Sequence, residues 1–237
     1  MTLTIDDVML QLKELGTEQT KMTFIRHGAG EPLFGVKVGD LKKLVKEVKK
    51  DQQLAKALYD TGNSDAMYLA GLTVNPKAVD ADMLRRWARQ AYWYMLAEYT
   101  VAGVAAESEH ALELAQEWID SPDEFVAACG WSTWANYISI TPDGELDLDK
   151  LRTLLRRVEQ EIHGERNRVR YTMNGFVIAV GSYVAPLTAE ASAVAEAIGK
   201  VHVNVGQTAC KVPLATEYIG KIIDMDRVGR KRKTCIC

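Results

Sequence analysis

The chain has 237 residues, of which 47% are hydrophobic and 26% are charged, and its formal net charge is −3 at pH 7. This is the composition of an ordinary soluble globular chain that can bury a sizeable core in one or two domains. Four scattered cysteines and four unclustered histidines argue against a disulfide framework, a bound metal or a cofactor. No signal-peptide pattern occurs, so we expect a cytoplasmic protein without a membrane partner.

The net charge hides an asymmetry along the chain. Residues 1–150 carry 15 Lys and Arg against 24 Asp and Glu, a balance of −9, whereas residues 151–237 carry 14 against 8, a balance of +6. Clustered cations indicate an anionic partner or a solvated surface. The cations of the second part lie in three groups: Arg152, Arg156 and Arg157; Arg166, Arg168 and Arg170; and Arg227, Arg230, Lys231, Arg232 and Lys233.

Hydrophobic periodicity predicts helices along nearly the whole chain and only weak strand signals. The helix over 40–50 places its apolar residues on one face, beneath a lysine-rich outer face. Gly, Pro, Asn and Asp lie in short joints between the helices. The predicted helices are 6–15, 40–50, 53–61, 64–73, 80–90, 91–107, 109–120, 123–139, 147–163, 167–184, 188–202 and 213–224.

Three stretches are almost free of charge: 91–106 contains one charged residue, and 125–140 and 171–189 contain none. Charged amphipathic helices alternate with these at intervals of roughly 40 residues, which is typical of stacked helix pairs. We therefore predict an all-α, HEAT-like helical-repeat solenoid of about 12 helices. It forms one domain over 1–226, followed by a basic C-terminal tail over 227–237. A compact helical bundle is the alternative.

Glu98 is the single acid within 91–106. A carboxylate on such a helix is either buried or faces a cleft, and a buried one must be paired, hydrogen-bonded or protonated. In the functional interpretation it faces a groove and stabilises positive charge on a sugar or an alkylated base, against an aromatic wall. In the structural interpretation it forms an inter-helix salt bridge with one of three arginines: Arg85, Arg86 or Arg89.

Arg166, Arg168 and Arg170 precede and open the uncharged helix predicted from residue 167. Cations at a helix N-terminus oppose the helix dipole, so the pattern favours a bound anion such as a DNA phosphate. The alternative is pairing with an acid just upstream, which could be Glu159, Glu161 or Glu165.

The terminal basic run and Lys211 could extend this DNA-binding surface. A basic tail is usually solvated, but one placed at a groove would add salt-dependent affinity for DNA. The cations concerned in the run are Arg230, Lys231, Arg232 and Lys233.

Other patterns are less specific. Trp131 and Trp134 lie three residues apart on an uncharged helix, which predicts core packing. No Gly-rich phosphate loop and no nucleophile elbow occurs, so the sequence does not support nucleotide hydrolysis or serine chemistry.

Several segments carry a family resemblance: 33–44, 57–59, the aromatic run 92–94, 168–174 with 176–183, and the ending 209–215 through 229–234. Together they resemble the AlkD-type DNA alkylation repair proteins, the HEAT-like repeat alkylpurine DNA glycosylases, in a divergent bacterial subgroup. The resemblance covers most of the chain from about residue 33 onward. It implies a solenoid with a basic concave face that binds duplex DNA by its backbone.

The resemblance also implies a site. Active members excise N-alkylated purines, and they hold the cationic lesion between an acid and tryptophans on two sides of a cleft. On this sequence the acid-bearing helix matches Trp93, Tyr94 and Glu98, so a glutamate replaces the aspartate and a tyrosine replaces one tryptophan. The opposing tryptophan matches 176–178, and an expected arginine matches Ala127. These differences from the pattern of the active members affect the expected excision activity more than the expected fold.

Three functions follow from these observations. The first is excision of alkylated purines by a DNA glycosylase, a hydrolase with Glu98, Tyr94 and Trp93 as catalytic residues. The second is binding of branched or distorted DNA without excision, and the third is a protein-binding scaffold. DNA is the expected partner, and a monomer is favoured. The predicted DNA contacts are Arg166, Arg168, Arg170, Asn174, Lys211, Arg230, Lys231, Arg232 and Lys233.

Overall fold

The computed structural model describes residues 3–236, and all regular secondary structure in that range is helical. A π-helical stretch, Met95–Val101, runs directly into α7, and short 3-10 turns occur between several helices. The thirteen α-helices of the described range are α1 Ile5–Leu15, α2 Glu18–Arg26, α3 Val38–Val48, α4 Gln52–Tyr59, α5 Ser64–Thr73, α6 Ala81–Gln90, α7 Ala102–Glu107, α8 Ala111–Trp118, α9 Glu124–Ile140, α10 Leu148–Glu161, α11 Asn167–Tyr183, α12 Thr188–Ile198 and α13 Ala215–Asp224.

Short polar side chains fix where many helices begin. Each accepts a hydrogen bond from a backbone N–H of the first turn, which has no partner inside the helix. These caps explain why the predicted starts of most helices lie within a residue or two of the observed ones. The capping residues are Thr4, Thr17, Asp51, Asn63, Asp80, Asp123 and Asp147.

Helix α2 is absent from the helices that periodicity predicts. Its buried residue is Thr20, so the helix has no apolar stripe that a periodic pattern could reveal. The Thr17 hydroxyl accepts the N–H of Thr20 at 3.2 Å and caps the helix.

The helices form two layers. An inner layer runs in order through α5, the π-helical stretch with α7, α9, α11 and α13, each packed on the next. The outer layer covers it with α4, α8, α10 and α12, and α6 packs on both α9 and the π-helical stretch. The stretches 91–106 and 125–140 and most of 171–189, which are nearly free of charge, lie in this inner layer, whereas the outer α10 is highly charged.

Two hydrophobic cores fill the space between the layers. In the N-terminal core the rings of Tyr59 and Trp87 stack at 4.1 Å. In the C-terminal core Trp131 packs edge-on against Phe176 at 5.3 Å. Trp131 and Trp134 are 0% and 5% exposed, which confirms their predicted core role. Phe176, in the position matched to the opposing tryptophan, is fully buried and faces no cleft.

A buried carboxylate fixes the turn before α3. Asp65 accepts the backbone N–H groups of Phe34, Gly35 and Val36 at 2.6, 3.1 and 2.8 Å. Burial raises the pKa of Asp65, and these hydrogen bonds oppose the shift. Since Asp65 lies in the first turn of α5, this contact sets the position of α3 beside the inner layer.

Within residues 3–236, no single helix has the length and apolarity needed to cross a membrane. The stretches Asn167–Tyr183 and Ala185–Ile198 meet that criterion only together, and they are bent by 113° relative to each other.

Candidate nucleic-acid interface

Glu98 lies on the π-helical stretch Met95–Val101. π-Helical stretches are rare in proteins as a whole. Those that do occur are frequently found at functional sites. The Thr100 hydroxyl donates to the Met95 carbonyl at 3.3 Å within this stretch. The Glu98 side chain is 3% exposed, so the carboxylate that the sequence singled out is buried.

The partner of Glu98 is Arg168, in the first turn of α11. Nε of Arg168 donates to Oε1 of Glu98 at 2.7 Å, and Nη2 donates to Oε2 at 2.6 Å. This two-point contact is the strongest geometry for an arginine–carboxylate pair. It joins the π-helical stretch to a residue 70 positions later in the chain.

The structural interpretation of Glu98 as an inter-helix salt bridge is therefore confirmed, but the expected partners on α6 are wrong. Those arginines point to the outer surface, where Arg85 binds Glu113 and Glu117 at 2.5 and 2.7 Å. Arg86 lies 3.7 Å from Asp60.

Two tyrosine rings pack against the Arg168 guanidinium. Its Cζ lies 4.4 Å from the ring centroid of Tyr94 and 4.3 Å from that of Tyr171. Cation–π attraction strengthens when water is excluded, and the Arg168 side chain is 11% exposed. An acid and two aromatic faces thus hold a cation, and this cation belongs to the chain itself.

Burial raises the pKa of Glu98 to about 7, and the Arg168 guanidinium opposes that shift. The carboxylate of Glu124 raises the pKa of Glu98 as well. Glu124 accepts the backbone N–H of Arg168 at 2.6 Å, so Arg168 interacts with two acids. Raised pKa values occur both in active sites and in buried ion pairs, so the contacts of Glu98 decide its role.

Arg166 ties α11 to the joint between α8 and α9. Its Nη1 donates to the carbonyls of Ser121 and Pro122 at 2.8 and 2.7 Å. Its Nε also pairs with Glu165 at 3.3 Å, so the predicted pairing with an upstream acid is confirmed for this arginine.

Arg170 and Asn174 lie one turn apart on α11. Arg170 is half-buried, and its Nη2 lies 3.4 Å from the side-chain oxygen of Asn167. Asn174 is fully buried and donates to the carbonyl of Pro213 at 2.9 Å. That position leaves Asn174 no exposed surface for the predicted DNA contact, and the residue instead anchors the chain before α13.

Trp93 points into the N-terminal core. It is 4% exposed, and its indole N–H donates to the His27 carbonyl at 3.0 Å. Its ring lies 5.3 Å from that of Phe24. Of the predicted catalytic residues, Glu98 and Tyr94 therefore meet at Arg168, whereas Trp93 lies behind them.

The segment 199–214 joins α12 to α13 without regular secondary structure. Asn204 and Asn167 exchange two hydrogen bonds at 2.7 and 2.9 Å, and the N–H of Gln207 donates to the Arg26 carbonyl at 3.0 Å. The segment thus connects the start of α11 to the end of α2. Lys211 is exposed on it, as a DNA contact requires.

Residues 227–236, the described part of the basic tail, pack against the helices. Lys231 pairs with Asp143 at 2.8 Å and donates to the Ile138 carbonyl at 2.9 Å. The N–H of Arg232 donates to the Ser139 carbonyl at 2.8 Å. These contacts fix the segment, which we call the C-terminal strap, to the end of α9.

Glu107 at the end of α7 holds the other half of the strap. Its Oε1 accepts the Thr234 hydroxyl and the N–H groups of Cys235 and Ile236, the last two at 2.6 and 3.3 Å. Cys237, the last residue of the predicted tail, lies outside the described residues. The exposed cations of the strap are Arg227, Arg230 and Lys233.

Two adjoining cavities form a groove beside the inner layer, which we call the inner groove. The first cavity, of about 280 Å³, lies among α5, the π-helical stretch, α9, α11 and the strap, with Glu98 and Arg232 in its wall. The second, of about 860 Å³, lies among α3, α5 and the strap. Leu72 and Ile236 line both cavities.

Few cations line the inner groove. Helices α5, α7 and α9 contain no Lys or Arg. The cations in its lining are Arg232 of the strap, in the first cavity, and Lys42 and Lys49 of α3, in the second. Within residues 3–236, no three His, Cys, Asp or Glu side chains are grouped to hold a metal ion.

Lys42 and Lys49 are not among the contacts predicted from the sequence, because all α3 lysines are expected on one outer face. The two are exposed and form no ion pair with another described residue, whereas Lys43 and Lys50 pair with acids of the same helix at 2.6 Å. The sequence signal that could have distinguished them is the lack of an acid three or four residues away, since Lys43 and Lys50 each follow an acid by three residues.

Comparison with known proteins agrees with this architecture. A family model described as DNA alkylation repair enzyme matches residues 8–219. Uncharacterized proteins from Listeria monocytogenes and Listeria innocua are each 36% identical to the chain over 225 residues, which is 92% of this chain and 97% of theirs.

A solved structure matches with a TM-score of 0.91 and 38% sequence identity, over 99% of this chain and 100% of the other. It is described as a new family of proteins related to the HEAT-like repeat DNA glycosylases with affinity for branched DNA structures. The predicted all-α, HEAT-like fold is thereby confirmed. The chain belongs to the DNA alkylation repair enzyme family.

Proposed function

We propose that this protein binds branched or distorted DNA through the DNA backbone and does not excise alkylated purines. The observation that carries the proposal is the position of Arg168. Active relatives, by the resemblance described above, hold a cationic base between an acid and aromatic rings. In this chain Glu98, Tyr94 and Tyr171 already hold the guanidinium of Arg168.

No second cation fits this arrangement. Both carboxylate oxygens of Glu98 accept hydrogen bonds from Arg168, at 2.7 and 2.6 Å. The rings of Tyr94 and Tyr171 also pack on the guanidinium, with their centroids within 4.4 Å of Cζ. A base could enter only if Arg168 left, and breaking a buried ion pair costs about 3–5 kcal/mol.

The affinity for DNA is assigned to cations that the chain leaves exposed. Lys42 and Lys49 line the inner groove, and Lys211, Arg230 and Lys233 are exposed on the covering segments. Phosphate contacts from such residues position DNA without reading its sequence. The preference for branched DNA is supported by the affinity described for the protein that is 38% identical over 99% of this chain.

The test compares binding and base release in one set of reactions. Wild type should bind a four-way DNA junction more tightly than a duplex of equal length, and should release no alkylated purine from methylated DNA. In Lys42→Ala/Lys49→Ala the slope of log affinity against log salt should fall by about 2, because each phosphate contact contributes roughly 0.9.

The matched control is Lys43→Ala/Lys50→Ala, which removes two lysines of the same helix that are already paired. It should bind as wild type does. Release of alkylated purines that is lost in Glu98→Gln would overturn the proposal, as would equal affinity for junction and duplex.

A further inference from the structure

The first cavity of the inner groove has aromatic walls. Tyr68, Tyr99 and Tyr171 contribute to its lining, and the Tyr99 side chain is 49% exposed beside it. Exposed tyrosine rings next to a cavity offer flat apolar faces on which a planar group can stack.

Gly175 of α11 lines the same cavity, and nothing in the fold requires a glycine there. A Cβ built on Gly175 would meet no atom within 4 Å. On Gly71, across the cavity, a Cβ would collide with the Thr100 side chain, so packing explains that glycine. Glycine inside a helix costs roughly 1 kcal/mol relative to alanine. Gly175 therefore leaves open space at a cost in helix stability.

Polar groups without partners complete the lining. The Ser132 hydroxyl and the Asn136 side-chain amide face no hydrogen-bond partner among residues 3–236. Serine and asparagine can each donate and accept, so both can pair with the edge of a heterocyclic ring. The cavity thus combines stacking faces, hydrogen-bonding groups and free volume.

We propose that this cavity receives a single unpaired base at the branch point of a bound DNA. This inference rests on the proposed function, and the unpaired base is the feature of branched DNA that the protein recognises. The base stacks on Tyr99 or Tyr171, and its edge pairs with Ser132 or Asn136. The second cavity, which adjoins the first at Leu72 and Ile236, carries the neighbouring phosphates along Lys42 and Lys49.

The cavity favours unpaired bases because they need the least energy to leave the DNA stack. Taking a base out of a duplex costs unstacking and unpairing energy, and the cost is least for a base that is already single-stranded. A stacked base contributes enough binding energy to change affinity by about tenfold or more. The preference should therefore appear as a difference between junctions with and without an unpaired nucleotide.

The experiment uses the full chain and two three-way DNA junctions of equal arm length. One junction is fully paired, and the other carries one unpaired 2-aminopurine, a fluorescent adenine analogue, at the branch point. Wild type should bind the second about tenfold more tightly and quench its fluorescence by stacking. Gly175→Leu, which fills the cavity, should bind both junctions equally and leave the fluorescence unquenched.

Gly220→Leu is the matched control, because Gly220 is also a helical glycine whose added Cβ would meet nothing within 4 Å, and it lies on α13 away from this cavity. It should behave as wild type. Tyr99→Ala, at a half-exposed ring, provides a second variant and should lose most of the quenching.

Equal binding of the two junctions by wild type would overturn this inference alone. The same holds if both Gly175→Leu and Tyr99→Ala keep the tenfold preference. If wild type binds neither junction more tightly than a duplex, the proposed function fails and the inference fails with it.

Discussion

The two parts of the chain carry opposite net charge, −9 over residues 1–150 and +6 over residues 151–237. In the sequence alone, this difference in net charge indicates an external anionic partner. In the fold, part of this charge difference is neutralised within the protein, because acids of residues 1–150 pair with cations of residues 151–237. Besides the local pair Asp149–Arg152 at 2.8 Å, the pairs are Glu98–Arg168, Asp120–Arg157 and Asp143–Lys231, at 2.6, 2.7 and 2.8 Å.

These pairs are not equivalent, and exposure separates them. In the Glu98–Arg168 pair the side chains are 3% and 11% exposed, whereas in the Asp120–Arg157 pair they are 58% and 26% exposed. Exposed pairs contribute about 0–1 kcal/mol, but removing one partner of a buried pair costs about 3–5 kcal/mol. One contact between the two parts of the chain therefore dominates, and it occupies the candidate catalytic acid.

The largest expected effect follows from removing that contact. At pH 8, Arg168→Ala should lower the free energy of unfolding by about 3–5 kcal/mol, because it leaves the Glu98 carboxylate buried without a cation. Urea unfolding measures it. Arg157→Ala is the control on the more exposed pair and should cost about 1 kcal/mol. Equal losses in the two variants would contradict the distinction between buried and exposed pairs.

The second effect is a pH dependence from Glu98. Its pKa in the folded protein, about 7, lies above the ordinary value of 4.5, so the folded state binds a proton that the unfolded state has released between these values. The free energy of unfolding contributed by Glu98 should therefore fall as pH rises through this window, by on the order of 3 kcal/mol. Urea unfolding of wild type and Glu98→Gln at pH 5 and pH 8 measures this difference.

Burial also raises the pKa of Asp65. Because Asp65 is present in both wild type and Glu98→Gln, its contribution to the pH dependence of stability cancels when the two are compared. Stability curves for wild type and Glu98→Gln that run parallel from pH 5 to pH 8 would show that Glu98 takes up no proton in this range.

A smaller effect concerns the strap, a segment of the second part of the chain that Glu107, an acid of the first part, holds by hydrogen bonds. Glu107→Ala should cost about 1 kcal/mol of stability and speed hydrogen exchange at the Cys235 and Ile236 amides, because both donate to Glu107. Glu109→Ala, at a side chain that is 80% exposed, is the control. Unchanged exchange at both amides would mean that Glu107 does not hold the strap.

The smallest effect has the opposite sign. Gly175→Ala should raise the free energy of unfolding by about 0.5–1 kcal/mol, since the new methyl group enters open space and alanine favours the helix. Thermal unfolding measures it. A loss of stability would show that the space beside Gly175 is needed by the fold itself.

The sequence predicted most helices because their apolar spacing and capping residues are local properties. Helix α2 was missed because Thr20 is its buried residue and no apolar stripe marks it. Glu98 was recognised from its isolation on an uncharged stretch, but its partner was not, since a contact across 70 residues depends on how the helices stack.

The candidate site was harder to predict for the same reason. Trp93 and Tyr94 are neighbours in sequence, yet only Tyr94 faces Arg168, because their orientation depends on the turn that leads into the π-helical stretch. Arg166, Arg168 and Arg170 looked like one phosphate site. Their partners, which are carbonyls, a buried acid and an amide oxygen, come from different elements and are visible only in three dimensions.

The proposed function depends most on whether Arg168 keeps its place when alkylated DNA is bound. The direct measurement is the ¹⁵N–¹H spectrum of arginine side chains, with the Arg168 Nε–H signal identified by its absence in Arg168→Lys. We predict a slowly exchanging signal that keeps its chemical shift when a methylated duplex or junction is added. Loss of that protection on adding methylated DNA, together with release of the methylated base, would contradict the proposed function.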